Sequence, residues 1–256
     1  MRRKSRAGQR GQTQKATLPM SDAASSDEIA AECLGVKVPH SRYLHETRIA
    51  RINAAEYEGQ EIAGALHVVQ PGDVVLEIGA GIGLVGAVVA ANCKPASVHA
   101  FEANPEIIDT IRALYRLNRL EPVIAVENRV LISAPDRPET VPFHLANSYL
   151  GSSLIDAGRA RKTVEVPTAG FAEVCARLRP TVLVMDIEGG ELDLLRHADL
   201  SGFRAVVLEF HPKAYGVPGM KECKAILRGA GFGRVKEKST RTVWTCARGI
   251  AEDDED

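Results

Sequence analysis

Four ionisable residues stand at the ends of apolar strand patterns in the second half of the chain. Asp186 closes one such pattern and Glu188 follows two residues later, while Glu209 and His211 mark the end of the next. Carboxylates placed in this way can act as a general base, bind a hard metal ion or accept hydrogen bonds from a ligand. Histidine has the unperturbed pKa nearest neutrality, so His211 is a candidate proton acceptor. We expect Asp186, Glu188 and His211 to carry chemistry, with Glu209 orienting His211 or completing a metal site.

A glycine-rich turn follows the apolar run 74–78 and reads Glu77-Ile78-Gly79-Ala80-Gly81-Ile82-Gly83. Glycines allow the backbone to turn sharply and to approach a ligand closely, and open α/β sheets bind ligands at the carboxyl ends of their strands. Residues 81–86 also match the dinucleotide pattern G-x-G-x-x-G, but this match begins two residues after the first glycine that follows the strand. An acid at position 77 suits a cationic group better than a pyrophosphate.

Glu102 ends the next apolar run, 97–101. A carboxylate at this place can accept hydrogen bonds from two ribose hydroxyls at once. Dehydrogenases share this device, so Glu102 predicts a ligand that contains a nucleoside without choosing between cofactors.

The elements that must position these residues alternate between strands and helices, which predicts an α/β fold with a parallel sheet. A single helix over 46–69 is predicted to precede the glycine-rich turn, with Tyr57 and Glu58 on its solvent-facing surface. The prolines within 130–145 favour a hairpin or excursion at the edge of the sheet, and two strands after residue 230 predict a terminal antiparallel pair. Strands are predicted at 74–78, 97–101, 123–126, 164–166, 181–185, 205–210, 231–237 and 242–247, and further helices at 84–91, 106–117, 169–178, 191–197 and 220–229.

Composition and charge are those of an ordinary globular protein, with 45% hydrophobic residues and a formal charge of -1. No apolar run has the roughly 20 residues of a membrane helix, and five cysteines without a C-x-x-C pair favour a reduced, cytoplasmic setting. We expect a disordered basic tail and irregular lead-in over 1–45, one domain over 46–249 and an acidic tail over 250–256. A transit peptide or an RNA-binding arm is the alternative for the basic tail.

Together these features resemble the FkbM family of S-adenosylmethionine-dependent methyltransferases, of the Rossmann-like class I. The resemblance covers Tyr57 to Ala247, and two mild departures from the family pattern are Glu77 and Gly81. It implies a mostly parallel seven-stranded sheet with a C-terminal antiparallel hairpin and helices on both faces. The segments that carry it are 74–83, 101–105, Gly151-Ser152-Ser153, 185–191 and 208–211.

The resemblance implies methyl transfer from S-adenosylmethionine, commonly to a hydroxyl oxygen of a small metabolite, a sugar or a lipid-linked glycan. Catalysis is assigned to Asp186, Glu188 and His211. A divalent metal is left unassigned, although oxygen ligands from Asp186, Glu188 and Glu209 would suit Mg²⁺. The cofactor is expected to contact Glu77, Gly79, Ala80, Gly81, Gly83, Glu102, Ala103, Asn128 and Asp186.

Two alternatives belong to other functional classes. A NAD(P)-dependent oxidoreductase is favoured by the offset glycine pattern and by Glu102, but the acid at 77 and the terminal hairpin disfavour it. A non-catalytic or RNA-associated module would use the basic N-terminus. With six Phe, five Tyr and one Trp, the chain lacks the aromatic residues typical of a nucleic-acid surface. We therefore expect a small hydroxylated substrate, bound by segments 41–58 and 142–162, and no membrane or nucleic-acid partner. The sequence does not determine the acceptor or the oligomeric state.

Overall fold

The structure is a computed structural model that describes residues 28–146 and 161–251. Its strands and helices alternate along most of the chain, as the apolar pattern predicts. In chain order they are β1 Ile29–Cys33, β2 Val36–Pro39, α1 Glu46–Asn53, α2 Gly59–Val68, β3 Val74–Ile78, α3 Leu84–Asn92, β4 Ser97–Phe101, α4 Ile108–Leu117, β5 Ile124–Glu127, β6 Val130–Ile132, β7 Thr140–Leu145, β8 Lys162–Gly170, α5 Phe171–Leu178, β9 Val182–Met185, α6 Glu191–His197, β10 Ala205–Glu209, α7 Pro212–Gly229, β11 Phe232–Arg234 and β12 Val243–Arg248.

Seven strands form the central sheet, in the order β11-β12-β10-β9-β3-β4-β5. The pairs among β10, β9, β3, β4 and β5 are parallel, and β12 runs antiparallel to both of its neighbours. This confirms the predicted α/β fold with its C-terminal antiparallel pair. Because β3 pairs with β4 on one side and with β9 on the other, the carboxyl ends of β3 and β9 meet at the point where ligands bind in such sheets.

The central sheet separates two buried apolar clusters, one under α2, α3 and α4 and the other under α5, α6 and α7. Side chains alternate between these faces along each strand. In β3, Val75 faces the first cluster, whereas Leu76 and Ile78 face the second. The sheet is therefore buried on both faces, and only its strand ends are left for a site.

The predicted helix over 46–69 is wrong, because the chain forms two helices there, α1 and α2. Between them Ala55 and Glu58 adopt left-handed backbone conformations, with φ of 54° and 49°. Tyr57 is only 2% exposed, which also contradicts its prediction as a solvent-facing residue. The apolar spacing continues across the break because both helices pack on the same core, so periodicity alone does not reveal it.

Segments predicted to be irregular contain two smaller sheets. β1 and β2 form an antiparallel hairpin within the predicted lead-in, and Val36 and Val38 are buried in the main core. The segment 130–145, predicted to form a hairpin or an excursion, supplies β6 and β7, which each pair with β8 in a separate three-stranded sheet of order β6-β8-β7. The predicted basic tail, most of the acidic tail and Gly151-Ser152-Ser153 lie outside the described residues.

Helix α7 begins at Pro212, earlier than predicted, and contains a kink at Gly216, where φ is 76°. The predicted strand over 231–237 is shortened to β11, because a turn of 3₁₀ helix occupies Lys236–Lys238. Across the two described segments, no helix combines the length and the apolar character required to span a bilayer.

Candidate active site

A cavity of about 520 Å³ opens at the carboxyl ends of β3, β4 and β9. Its wall includes Gly79 and Gly81 of the glycine-rich turn, Glu102 and Ala103 after β4, and Asp186 after β9. The structure therefore brings together five of the residues predicted to bind the cofactor. Segments 129–134 and 186–190 also contribute to the wall.

Gly79 and Asp186 are in close backbone contact at the base of this cavity. A Cβ on Gly79 would lie 1.7 Å from the main-chain oxygen of Asp186, and the φ of Gly79 is +84°. The N–H of Gly79 donates to Phe101, and that of Asp186 donates to Ile78. Only glycine fits at position 79 without moving the β9 loop.

Glu102 fastens two backbone turns to the cavity wall. Its Oε2 accepts from the N–H of Gly81 at 2.9 Å and its Oε1 from that of Asn104 at 2.7 Å. Glu102 is only 8% exposed. Burial raises the pKa of its carboxyl group to about 7, although these hydrogen bonds act to lower it. Glu102 also lies in the cavity wall, where a carboxylate oxygen can accept a hydrogen bond from a ligand hydroxyl.

Asn128 supports the same turn and is not part of the cavity wall. Its Nδ2 donates to the carbonyl oxygens of Glu102 and Ala103, at 2.8 and 3.0 Å. The next residues, Arg129, Val130 and Leu131, line the cavity instead. These cavity-lining residues follow Asn128 by one to three positions, and the cofactor contact at Asn128 stays a prediction.

Glu77 lies behind the glycine-rich turn and is not among the residues that line the cavity. It is 2% exposed, and its Oε1 accepts from the N–H of Gly86 in α3 at 2.8 Å. Burial raises the pKa of Glu77 to about 8. Its carboxyl joins α3 to β3, while Ala80 and Gly83 close the turn through a hydrogen bond from Gly83 N–H to the Ala80 carbonyl at 2.7 Å.

A second cavity, of about 550 Å³, adjoins the first at the start of α2 and the end of β10. Both cavities are lined by Glu58, Asp186 and Glu188. Arg51 and residues 55–58 belong to this second wall, within one of the two segments predicted to hold the acceptor. Part of the other segment lies outside the described residues. Six acidic residues and one histidine line the second cavity: Glu56, Glu58, Glu61, Asp186, Glu188, Glu209 and His211.

His211 is surrounded by three carboxyl groups. Its Nδ1 lies 2.9 Å from Glu191 Oε1, and its Nε2 lies 3.4 Å from Glu188 Oε2 and 3.7 Å from Asp186 Oδ1. Burial alone would lower the pKa of His211, but the hydrogen bond to Glu191 and the three acidic neighbours raise it to about 9. The predicted catalytic trio thus meets in space, where the two cavities join.

Proton sharing is favoured throughout this cluster. Burial raises the pKa of Asp186 well above its ordinary value and also raises that of Glu188, while His211 opposes both shifts. Burial and the neighbouring Glu61 raise the pKa of Glu209 to about 7. The raised pKa values mean that the cluster retains bound protons near neutral pH.

The predicted trio could also hold a divalent cation. Asp186, Glu188 and His211 each offer one ligand atom, and these atoms lie within 4.8 Å of one another. Glu209 instead forms a side-chain hydrogen bond with Glu61. Glu191, and not Glu209, lies within hydrogen-bond distance of Nδ1 of His211.

Comparison with known proteins places this geometry in context. The family model described as the methyltransferase FkbM domain matches residues 77–233. No curated protein sequence gives a significant match.

Solved structures with a similar arrangement include three methyltransferases. Precorrin-6y C5,15-methyltransferase from Geobacter metallireducens GS-15 is 14% identical, with 86% of this chain and 98% of that chain covered and a TM-score of 0.45. Ribosomal protein L11 methylase from Lactobacillus delbrueckii subsp. bulgaricus is 13% identical, with 82% and 91% covered and a TM-score of 0.47. TrmK from M. capricolum, in complex with S-adenosyl-homocysteine, is 7% identical, with 77% and 71% covered and a TM-score of 0.43. Likenesses of this degree do not specify an acceptor.

Proposed function

Because the chain belongs to the FkbM family of S-adenosylmethionine-dependent methyltransferases, we propose that it methylates a hydroxyl oxygen of a small metabolite, a sugar or a lipid-linked glycan. The family assignment sets aside the NAD(P)-dependent oxidoreductase as an alternative. The acceptor and the roles of individual residues are parts of the proposal.

The cofactor cavity has the features that S-adenosylmethionine requires. The carboxylate of Glu102 can accept hydrogen bonds from ribose hydroxyls, and Gly79 and Gly81 of the turn line the same cavity. When bound, the cofactor supplies an electrophilic methyl group on a sulfonium. The protein must then align an acceptor and remove its proton.

The observation that carries the proposal is the position of His211 Nε2 at the junction of the two cavities, beside Asp186 and Glu188. An alcohol is a poor nucleophile while protonated, so a nearby base is needed. In the proposed step Nε2 of His211 would accept the hydroxyl proton as the acceptor oxygen takes the methyl group, and the electron pair of the broken methyl–sulfur bond would stay with S-adenosylhomocysteine as the leaving group. The acceptor would lie in the second cavity, with its hydroxyl at the junction with the first.

Metal assistance is a second candidate mechanism, favoured by the three convergent ligand atoms of Asp186, Glu188 and His211. A divalent cation bound there would lower the pKa of the acceptor hydroxyl. The two mechanisms differ in what a chelator does, because removal of a required metal stops transfer whereas a histidine base continues to act.

The test is transfer of an isotopically labelled methyl group from S-adenosylmethionine to a panel of hydroxylated sugars and metabolites, alongside their amino analogues. We expect label on oxygen, identified by mass spectrometry, and a loss of about 10²-fold or more in His211→Ala. His67→Ala, at an exposed site on α2, is the matched control. Label found only on nitrogen or carbon, or full activity in His211→Ala, would contradict the proposal, and activity that EDTA abolishes and Mg²⁺ restores would favour the metal mechanism.

A further inference from the structure

Glu191 is a fully buried acid that does not line either cavity. It is the first residue of α6 and is 0% exposed. Its Oε1 accepts from the N–H groups of Ile187 and Gly189, each at 3.2 Å, and lies 2.9 Å from Nδ1 of His211. One carboxylate oxygen thus has three nitrogen partners.

These contacts determine which nitrogen of the imidazole carries hydrogen. Glu191 Oε1 already accepts two backbone N–H groups, so its third partner must also donate. Nδ1 of His211 is therefore the protonated nitrogen. In the neutral ring the lone pair then lies on Nε2, the nitrogen that is near Asp186 and Glu188 at the junction of the cavities.

We propose that Glu191 is a positioning residue, which holds His211 in the tautomer that presents the lone pair of Nε2 to the acceptor. This inference rests on the proposed function of His211 as the base. Glu191 itself does not touch the acceptor or the cofactor.

The surrounding backbone is shaped to hold this contact. Glu188 and Gly189 have positive φ angles, 53° and 113°, and they wrap the chain around the carboxylate of Glu191. His211 is also fixed from its main chain, because its N–H donates to the hydroxyl of Tyr215 at 2.6 Å. A solvated acid at a helix N-terminus would need neither the burial nor the imidazole partner.

The test combines ring nitrogen NMR of His211 with kinetics in the full chain. Glu191→Leu removes the carboxylate that accepts the hydrogen bond from His211, and Glu191→Gln keeps an acceptor oxygen without the charge. As a control, Glu222→Gln breaks an exposed ion pair with Arg196, which lies on the same helix as Glu191. Thermal unfolding and calorimetric binding of S-adenosylhomocysteine establish that each variant is folded.

At alkaline pH, where the ring is neutral, we expect the Nδ1–H tautomer of His211 in the wild type, in Glu222→Gln and in Glu191→Gln. In Glu191→Leu we expect the Nε2–H tautomer, with kcat lower by about 10²- to 10⁴-fold and the affinity for S-adenosylhomocysteine unchanged. An unaltered tautomer in Glu191→Leu would overturn the inference, even if His211→Ala shows that His211 is the base. A changed tautomer with undiminished kcat would overturn it as well, and His211→Ala would then show whether the proposed base itself is wrong.

Discussion

Among single residues, Glu102 is the one predicted to bind the ribose hydroxyls of the cofactor. Hydrogen bonds to a charged group contribute about 1.5–3 kcal/mol each, so Glu102→Ala should weaken the binding of S-adenosylmethionine by about 100-fold or more. Isothermal titration calorimetry measures this directly. Glu127→Ala, at the end of the neighbouring strand β5, should leave the affinity unchanged. Equal affinity in the wild type and in Glu102→Ala would show that the ribose binds elsewhere.

The protonation of His211 predicts how methyl transfer depends on pH. With its pKa raised to about 9, the ring is mostly protonated at neutral pH and cannot accept a proton. As pH rises towards that value, the unprotonated fraction grows about tenfold per pH unit. We therefore expect kcat/KM to increase from about pH 7 and to level off near the pKa of the free enzyme. A wild-type profile that is flat over this range would rule out His211 as the base.

At the scale of elements, the contact between the turn after β3 and the loop after β9 should dominate the cost of changing Gly79. Gly79 and Gly72 both have positive φ, +84° and +89°, but a Cβ on Gly72 would meet nothing within 4 Å. Gly72→Ala should therefore cost about 1–2 kcal/mol from backbone strain alone. Gly79→Ala should cost at least about 2 kcal/mol more, because its methyl group collides with the main chain of Asp186. Urea unfolding of both variants measures the difference, and equal costs would contradict the close contact.

The break between α1 and α2 also acts at the scale of elements. A continuous helix would have directed Glu58 to solvent, as its sequence position suggests. The left-handed conformation at Glu58 instead begins α2 beside the strand ends and brings this acid to the wall of both cavities. Burial there raises the pKa of Glu58 to about 8. The helix break thus contributes to the acidic character of the junction.

At the scale of the whole molecule, the hairpin of β1 and β2 belongs to the folded domain. Val36 and Val38 are buried in the main core, and the backbone of Lys37 forms two hydrogen bonds with the side chain of Asn118, the residue that follows α4. Burying a valine side chain contributes about 1.5–3 kcal/mol. We therefore propose that the domain begins near residue 28 and not at residue 46.

This boundary is tested by two shortened chains, one that begins at residue 28 and one that begins at residue 46. The shorter chain should be less stable by at least about 3 kcal/mol, because it lacks both valines. Chemical unfolding measures the loss, and calorimetry shows whether either chain still binds S-adenosylmethionine. Equal stability of the two chains would show that the hairpin adds nothing to the domain.

The sequence by itself determined the order of the central strands and helices and the turns between them. Patterns such as the apolar run before Gly79 and the one before Asp186 are local, since each is set by neighbours in the chain and by the burial of both faces of the sheet. Both strands lie within one residue of their predicted bounds. The spacing of acids and glycines at these strand ends also identified the family and three residues that meet in space, Asp186, Glu188 and His211.

The tertiary structure alone decided the partners of the buried acids. Glu77 shares a face of β3 with Val75, and the close packing of α3 at Gly86 turns its carboxyl away from the cavity. Glu191 reaches His211 across 20 residues, a contact that depends on where α6 lies beside the end of β10. Local patterns fix the period of an element but not the neighbour that its side chains meet, because that neighbour is set by strand order and helix packing.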